Sequence, residues 1–566
     1  MKANLQRLAY VVLVLLIVAL PLALRREPAA DAGRTGALTL VIVTPHNEAI
    51  RSEFGRAFSA WHREHYGQPV AVDWRVLGGT TEISRYLQAQ YTAAVGAWWR
   101  QQGRAWPAGM GDRLFDPALD APAEKIVASD RAFAAVRQAF LHTDAAVAFT
   151  CGLDVFFGGG SFDHGDAARK GCTVSLEPLL QTLGDLDQLP EKVSGEVWRT
   201  THFAGNALSV FGICYNLDRL HELGVPLPAQ WSDLTDPRYC GTLGLTDPTK
   251  SGSAAKAFEM IIQQQCRLAL RAANFDDATS AAIERDLTAG KTAPADYQRA
   301  LETGWQRGLA LIQLLGANAR YFTDSSSRVP LDVSAGDAAA GICIDFFARF
   351  QAAQDRAPGG RPRMAFVAPS GGTSVTSDPI SLLRGAEHRE IAERFIAFTL
   401  SPAGQRLWCQ RTGTPGGPER YALWRLPIRR DFYPPGELAQ SLRPLNAFDL
   451  AEEANNAFAL ATHFTYEARW TARHFGVHRD LIKAMCLDSG EELRAAWRAI
   501  LAHGGPAAQP GAMRLLTRLP TQPERLTWTS ALDIARHHDR QDYLRQWTDC
   551  YRRNYRAAAQ AVQPAH

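Results

Sequence analysis

Residues Val41–Gly67 read VIVTPHNEAIRSEFGRAFSAWHREHYG. The stretch opens on four apolar or β-branched residues, breaks at Pro45 and passes through the polar pair His46-Asn47. It then becomes an amphipathic helix with Ile50, Phe54, Ala57, Phe58 and Trp61 on one face. This is a strand handing over to a helix, and such loops are where α/β proteins hold ligands. Helix capping alone is the competing explanation for Asn47. The plan repeats at once: VAVDWRVL reads as a second strand, and GGTTEISRYLQAQ as a glycine turn and a second helix. A β-α-β-α opening predicts a mainly parallel sheet covered by helices.

The alternation continues downstream. AVAFTCGLDVFFGGGSFDHGDAARKG, LSVFGICYNLDRLHELGV, GTLGLTDPTKSGSAAKAFEMIIQQ and AAAGICIDFFARF each read as a strand followed by a turn and a helix, as does MAFVAPSGGTSVTSDPISLL. Residues 92–146 depart from it. Trp98, Trp99, Trp106, Pro107, Pro117, Pro122 and the helical run DRAFAAVRQAFL mark an insertion decorating the first lobe. After Ala386 the chain turns helical, and from about residue 436 to the end little strand signal remains.

With 566 residues the chain is long enough for two or more domains or lobes. A formal net charge of +3 and dispersed basic residues give no support to a nucleic-acid partner. Lys2 and Arg7 precede the apolar run Leu8–Leu24, and Arg25-Arg26 follow it. Its length lies at the lower edge of a membrane span, and the flanking charges favour an uncleaved anchor over a cleaved signal, with the body exported. A weak cleavage match, Ala30-Asp31-Ala32, is the alternative. The nine cysteines form no C-x-x-C pair, so no zinc or redox motif is present. Most, such as Cys214 and Cys343, sit in apolar strands as small buried residues, and export leaves disulfides open, with at least one cysteine unpaired.

Four loops rich in Gly, Ser and Thr stand at strand ends: Gly78-Gly79-Thr80-Thr81, Gly158-Gly159-Gly160-Ser161, Ser251-Gly252-Ser253 and Ser370-Gly371-Gly372-Thr373. Helix N-termini carry unpaired N–H groups and partial positive charge, and glycine lets a ligand approach the backbone. Several such ends meeting in one cleft would hold a carboxylate, a phosphate or another polar group. The candidate ligand residues are therefore Pro45, His46, Asn47, Gly79, Thr80, Thr81, Gly159, Gly160, Ser161, Ser251, Gly252, Ser253, Gly372 and Thr373. To these Asp345 is added, a carboxylate at the end of GICI that could meet a cation or a hydroxyl. For any one loop plain capping is the commoner account, and it is four of them in one alternating α/β chain that shift the balance toward a ligand site. No dinucleotide fingerprint, P-loop, G-x-S-x-G elbow or H-E-x-x-H occurs. Cys151, in an apolar strand, reads as a core residue rather than as a nucleophile with His164 as its base, and no catalytic residue, metal ligand or cofactor is expected.

The second half resembles the extracellular solute-binding proteins of ABC importers, in the group with ferric-iron and sugar-phosphate receptors. The carrying segments are YNLDRLHELGVPLPAQWSDLTDPRYCGTLGLTDPTKSGS (215–253), LLGANARYFTDSSSRVPLDVSAGDAAAGICID (314–345) and PSGGTSVTSDPISLLRGAEHREIAERFIAFTLSPAGQRLW (369–408), with GTPGGP and LPIRRDFY after them. The resemblance covers roughly residues 38–433. It implies an α/β, two-lobed type 2 periplasmic-binding-protein fold with a two-stranded hinge, here with a C-terminal helical extension. Lobe one would hold 37–207 and 366–435, lobe two 208–365, the anchor and linker 1–36 and the extension 436–566. It further implies a non-enzymatic, monomeric, extracytoplasmic receptor that gives a small-molecule ligand to an ABC permease in the inner membrane. Where iron receptors present tandem tyrosines, this chain has Phe346-Phe347, which disfavours iron and leaves a small organic anion, with an amine or polyol allowed by Asp345. A membrane-anchored sensory domain on the same fold is the alternative.

Overall fold

The computed structural model describes residues 38–142, 149–537 and 540–562. The apolar run Leu8–Leu24 lies outside them; among the described residues no helix is long and apolar enough to cross a membrane.

The first three strands are β1 (Leu38–Val43), β2 (Val70–Arg75) and β3 (Val155–Phe157). A short hairpin follows, β4 (Lys192–Val193) and β5 (Glu196–Val197), and then β6 (Ala204–Ser209), β7 (Phe211–Asn216) and β8 (Leu243–Thr246). The last five are β9 (Ala319–Thr323), β10 (Ala340–Ile344), β11 (Met364–Val367), β12 (Thr376–Leu382) and β13 (Leu426–Pro427). They form two main sheets. The lobe-one sheet runs β13-β6-β12-β3-β1-β2 and the lobe-two sheet β11-β7-β10-β8-β9. In the first, β1 pairs parallel with β2 and β3, while β12 is antiparallel to β3 and β6. In the second, β8 pairs parallel with β9 and β10, and β7 is antiparallel to β10 and β11. The two lobes thus share one plan: a parallel trio, then one reversed strand, then one more, with β13 added at the edge of lobe one.

Strands covered on both faces must be apolar on both faces. In β1, Leu40 and Ile42 enter one core with Phe54 and Phe58 of helix Glu48–Tyr66, while Val43 enters the opposite core with Ile83, Leu87 and Tyr91 of helix Thr80–Gln101. The latter helix passes through residue 92 without a break, so the expected insertion is not a separate outgrowth there. The chain beyond it folds back as helix Arg131–His142. The buried Arg137 guanidinium holds it there, with Nε and Nη2 each 2.9 Å from an Asp120 carboxylate oxygen and Nη1 3.1 Å from Leu114 O.

Two connections cross between the lobes. Val210 alone separates β6 from β7, and residues 368–375 link β11 to β12. The tail is helical, as its composition predicts, and is built into both lobes. Leu450, Ala457 and Ala461 belong to the lobe-one core, whereas Phe464, Trp470, Val477 and Leu481 belong to that of lobe two. The tail therefore adds a third crossing at residues 462–463. On lobe two, its Trp497 Nε1 donates to Asn318 Oδ1 (2.7 Å), and Trp305 Nε1 donates to Nε2 of the tail's His478 (2.8 Å). All nine cysteines are free thiols; eight are buried and Cys240 is half-buried.

Candidate functional site

The floor of the interlobe cleft is polar and buried. His46, predicted as a loop residue open to a ligand, is instead turned inward, its Nε2 3.0 Å from Asp378 Oδ2. The same carboxylate receives the Arg425 guanidinium, and its Oδ1 accepts the Gly159 amide at 2.8 Å. Arg425 Nη2 donates to Ser209 Oγ at 2.9 Å, and its guanidinium lies 4.2 Å over the Phe346 ring from lobe two. Burial pushes the Asp378 carboxyl up, but Arg425 and His46 outweigh it and hold the group well below the usual carboxylate range. Gly158 is required beside this cluster: its φ is +94°, and a Cβ there would lie 2.5 Å from the His46 ring. Pro45 is half-buried, and Asn47 caps the helix, its Oδ1 accepting the Ile50 amide at 3.1 Å.

The rim is made of the predicted loops. Gly79 opens helix Thr80–Gln101, Gly160 opens helix Ser161–Arg169, and Ser251 caps helix Gly252–Ala272. The first two belong to lobe one and the third to lobe two, and they meet. A Cβ at Gly79 would lie 2.7 Å from Lys250 O, and one at Gly252 3.1 Å from Asp163 Oδ2 and 3.2 Å from Thr80 Oγ1. Ser251 Oγ is 3.1 Å from Ser253 Oγ, which in turn is 3.0 Å from Ser326 Oγ. Asp163 stands among these three helix starts. Burial pushes its carboxyl up to about 6, against Arg479 and the Thr80 hydroxyl, which favour the charged form. Thr81 Oγ1 accepts from Arg479 Nη2 at 2.9 Å.

Asp345 lies at the hinge. Its amide donates to Val210 O at 3.0 Å and its side chain is fully buried, not a solvated strand end. Neither carboxylate oxygen accepts a hydrogen bond among the described residues; the nearest cation, Arg349 Nη2, is 3.8 Å away. Burial raises its pKa, and Arg349 and Arg425 pull it back.

The fourth loop departs from expectation. Ser370–Thr373 leads into β12, not into a helix, and braces the hinge instead of the rim. Gly372 O accepts from Trp231 Nε1 at 2.7 Å, and Thr373 Oγ1 accepts the Phe211 amide at 3.2 Å. Cys151 and His164 do not pair. His164 is engaged by Ser381 Oγ (2.7 Å) and Gly158 O (3.1 Å), and burial pushes the Cys151 thiol up to about 11.

Asp163, Asp378, Arg425 and Arg479 are the residues that sequence reasoning missed. An Asp beside a glycine loop (GGGSFD) and an Arg inside the apolar run ALWRLPI were usable signals for two of them. Arg479 sits on a helix like many other arginines and carries no local mark.

A family model described as bacterial extracellular solute-binding protein matches residues 147–436. An uncharacterized protein of Haemophilus influenzae is 25% identical over 260 residues, covering 45% of this chain and 61% of that one. The phosphoglycerate transport regulatory protein PgtC of Salmonella typhimurium is 26% identical over 256 residues, covering 43% of this chain and 52% of that one. The matched part thus spans about half to three-fifths of the length of these relatives. Among solved structures, the periplasmic binding protein AfuA of Actinobacillus pleuropneumoniae, with fructose-6-phosphate bound, aligns at 16% identity and a TM-score of 0.44. That alignment covers 75% of this chain and 94% of that one. Iron-bound HitA of Pseudomonas aeruginosa aligns at 16% identity and a TM-score of 0.38, covering 75% and 98%. With a two-lobed α/β body and a family match over half its length, the chain belongs to the bacterial extracellular solute-binding proteins.

Proposed function

We propose that this protein captures a small, polar, anionic solute between its lobes outside the inner membrane and delivers it to an ABC permease. The observation that carries the reading is the convergence of three helix N-termini, at Thr80, Ser161 and Gly252, from both lobes onto one rim. Their free N–H groups and partial positive charge suit a carboxylate or phosphate. Rim residues Gly79, Thr80, Thr81, Gly160, Ser161, Ser251, Gly252 and Ser253 hold the anion in this reading. Asp345 accepts a hydroxyl of the solute, and His46 and Gly159 shape the floor through Asp378. Closing the lobes around a solute stabilises the closed population by the differential affinity alone.

A phosphorylated hydroxy acid fits both the helix N-termini of the rim and an accepting carboxylate, and the name of the Salmonella relative points the same way. Ferric iron fits poorly: Phe346-Phe347 offer no phenolate. The solute reading is non-enzymatic, monomeric, and independent of a nucleic acid or cofactor, with Leu8–Leu24 as the tether.

The test is a thermal-shift panel on the exported protein, with native mass spectrometry before and after unfolding. Sugar phosphates and phosphoglycerates at one hundred times Kd would stabilise it by about 2.7 kcal/mol. Ferric iron would do nothing. No shift with any anion, and no small molecule released on unfolding, would overturn the reading. A second reading, regulation rather than delivery, is favoured by the tail that joins both lobes and by the word "regulatory" in the name of that relative. It predicts solute binding without stimulation of the permease ATPase.

A further inference from the structure

The tail touches the rim itself. Helix Phe475–Ile482 lies against both lips of the cleft through one side chain. Arg479 Nη2 donates to Thr81 Oγ1 of lobe one at 2.9 Å and to Thr249 O of lobe two at 2.6 Å, while Nε donates to Pro248 O at 2.7 Å. Beside it, the ring of Phe475 packs on lobe-one Phe162 with centroids 4.6 Å apart. The helix is fixed to lobe two by Val477 and Leu481 in its core, and Asp480 Oδ2 accepts from Arg540 Nε at 2.8 Å. Among the described residues its grip on lobe one is made by Arg479 and Phe475, at the place where the two lips meet.

A second grip lies toward the hinge. The Tyr466 amide donates to Ser194 O at 2.8 Å in the turn of the β4–β5 hairpin of lobe one. There the backbones are so close that a Cβ on Gly195 would stand 1.9 Å from Tyr466 O. The Tyr466 hydroxyl in turn donates to Glu259 of lobe two at 2.7 Å. Hydrogen bonds from a charged donor such as Arg479 are the strong ones, and losing one partner leaves the other less satisfied.

We infer that the C-terminal extension is the latch of the cleft: Arg479 joins the two rims, so that the lobes open, and solute enters or leaves, only when its bonds to Thr81 are broken. Arg479 acts as a positioning residue for the Gly79–Thr81 and Pro248–Ser251 loops. Most of the extension moves with lobe two, and the lobes separate by peeling Arg479 and Phe475 from lobe one, pivoting about the third crossing at 462–463. The consequence for binding rests on the interlobe cleft being the solute site; the latch itself does not, and is measured without solute.

The experiment is hydrogen–deuterium exchange on the full-length, solute-free protein, with Arg479→Ala, Arg479→Lys and Thr81→Val. Thr81→Val keeps the volume and removes only the lobe-one acceptor. Amides of Gly79–Ile83 and Asp247–Ser253 are expected to exchange about tenfold faster in Arg479→Ala and Thr81→Val, and less so in Arg479→Lys. Exchange in the core helix Ala295–Asn318 is expected to stay as in the wild type. Unchanged rim exchange in Thr81→Val would overturn the latch. So would an equal rise throughout the chain, which would mark Arg479 as a general packing residue. Because no solute enters the measurement, its failure is separate from failure of the solute reading.

Discussion

His46 and Asp378, 332 residues apart in the chain, lie 3.0 Å from one another beneath the cleft, with Arg425 closing the cluster from a third segment. Breaking a buried ion pair on one side strands a desolvated charge. Asp378→Ala is therefore expected to cost about 3–5 kcal/mol in urea unfolding. The double change Asp378→Ala, Arg425→Leu is expected to cost less than the single one, because it removes the stranded guanidinium. A double variant that loses the sum of both single losses would contradict the pairing.

Asp163 gives a pH dependence of opposite sign to that of Asp378. Its folded pKa is raised by burial to about 6, from 3.8. The folded state thus binds this proton more tightly than the unfolded chain, and stability gained from it grows as pH falls through 6 and is complete below about 3.8. Asp378, held low, contributes stability above the unfolded value and loses it on acidification. Asp163→Asn is expected to remove the rise in melting temperature between pH 7 and pH 5. A wild-type profile without that rise would refute the assignment.

How far these features were legible in the sequence depends on the range of the contact. The strand-to-helix alternation and the helix starts after Gly79, Gly160 and Ser251 were readable, because period, glycine and capping residues are local signals, and for Asn47 it is the competing capping explanation that holds. The Ser370–Thr373 loop was misread because glycine and hydroxyl residues mark a turn without saying whether a strand or a helix follows. Arg479 finds Thr81 across 398 residues, and no local pattern announces such a contact. His46 looked like a loop residue because its partner, Asp378, sits in a distant strand.

Helix Gly252–Ala272 and helix Ala295–Asn318 touch backbone to backbone at Gly304 and Gly308. A Cβ at Gly304 would lie 2.4 Å from Cys266 Cα, and one at Gly308 2.7 Å from Ile262 Cα. On an exposed helix, Gly→Ala gains about 1 kcal/mol. Here overpacking against backbone outweighs that gain, and Gly304→Ala is expected to destabilise by about 1–3 kcal/mol in chemical denaturation. An equal or more stable variant would mean the helices separate at no cost.

The cysteines offer a direct check on packing. All nine are free, and only Cys240 is half-buried rather than buried. A thiol reagent at pH 8 is expected to label one cysteine rapidly in the native protein and nine after unfolding. Reductant should leave the melting temperature unchanged. Two or more thiols protected against the reagent after unfolding would reveal a disulfide and contradict the arrangement.

Asp345 sets stability against binding. A fully buried carboxyl that accepts no hydrogen bond among the described residues is costly, and Arg349 at 3.8 Å offsets only part of the cost. Asparagine has nearly the same shape and no charge. Asp345→Asn is therefore expected to stabilise the solute-free protein by about 1–2 kcal/mol in urea unfolding. If Asp345 accepts a hydroxyl of the solute, the same change weakens solute binding, because a neutral amide is the poorer acceptor. Calorimetry with whichever solute the thermal panel identifies would show about a tenfold loss of affinity, equivalent to 1.4 kcal/mol. The opposed signs separate the two roles of the residue. A purely structural acid would change stability and leave affinity alone, whereas a site strained for function shows both at once.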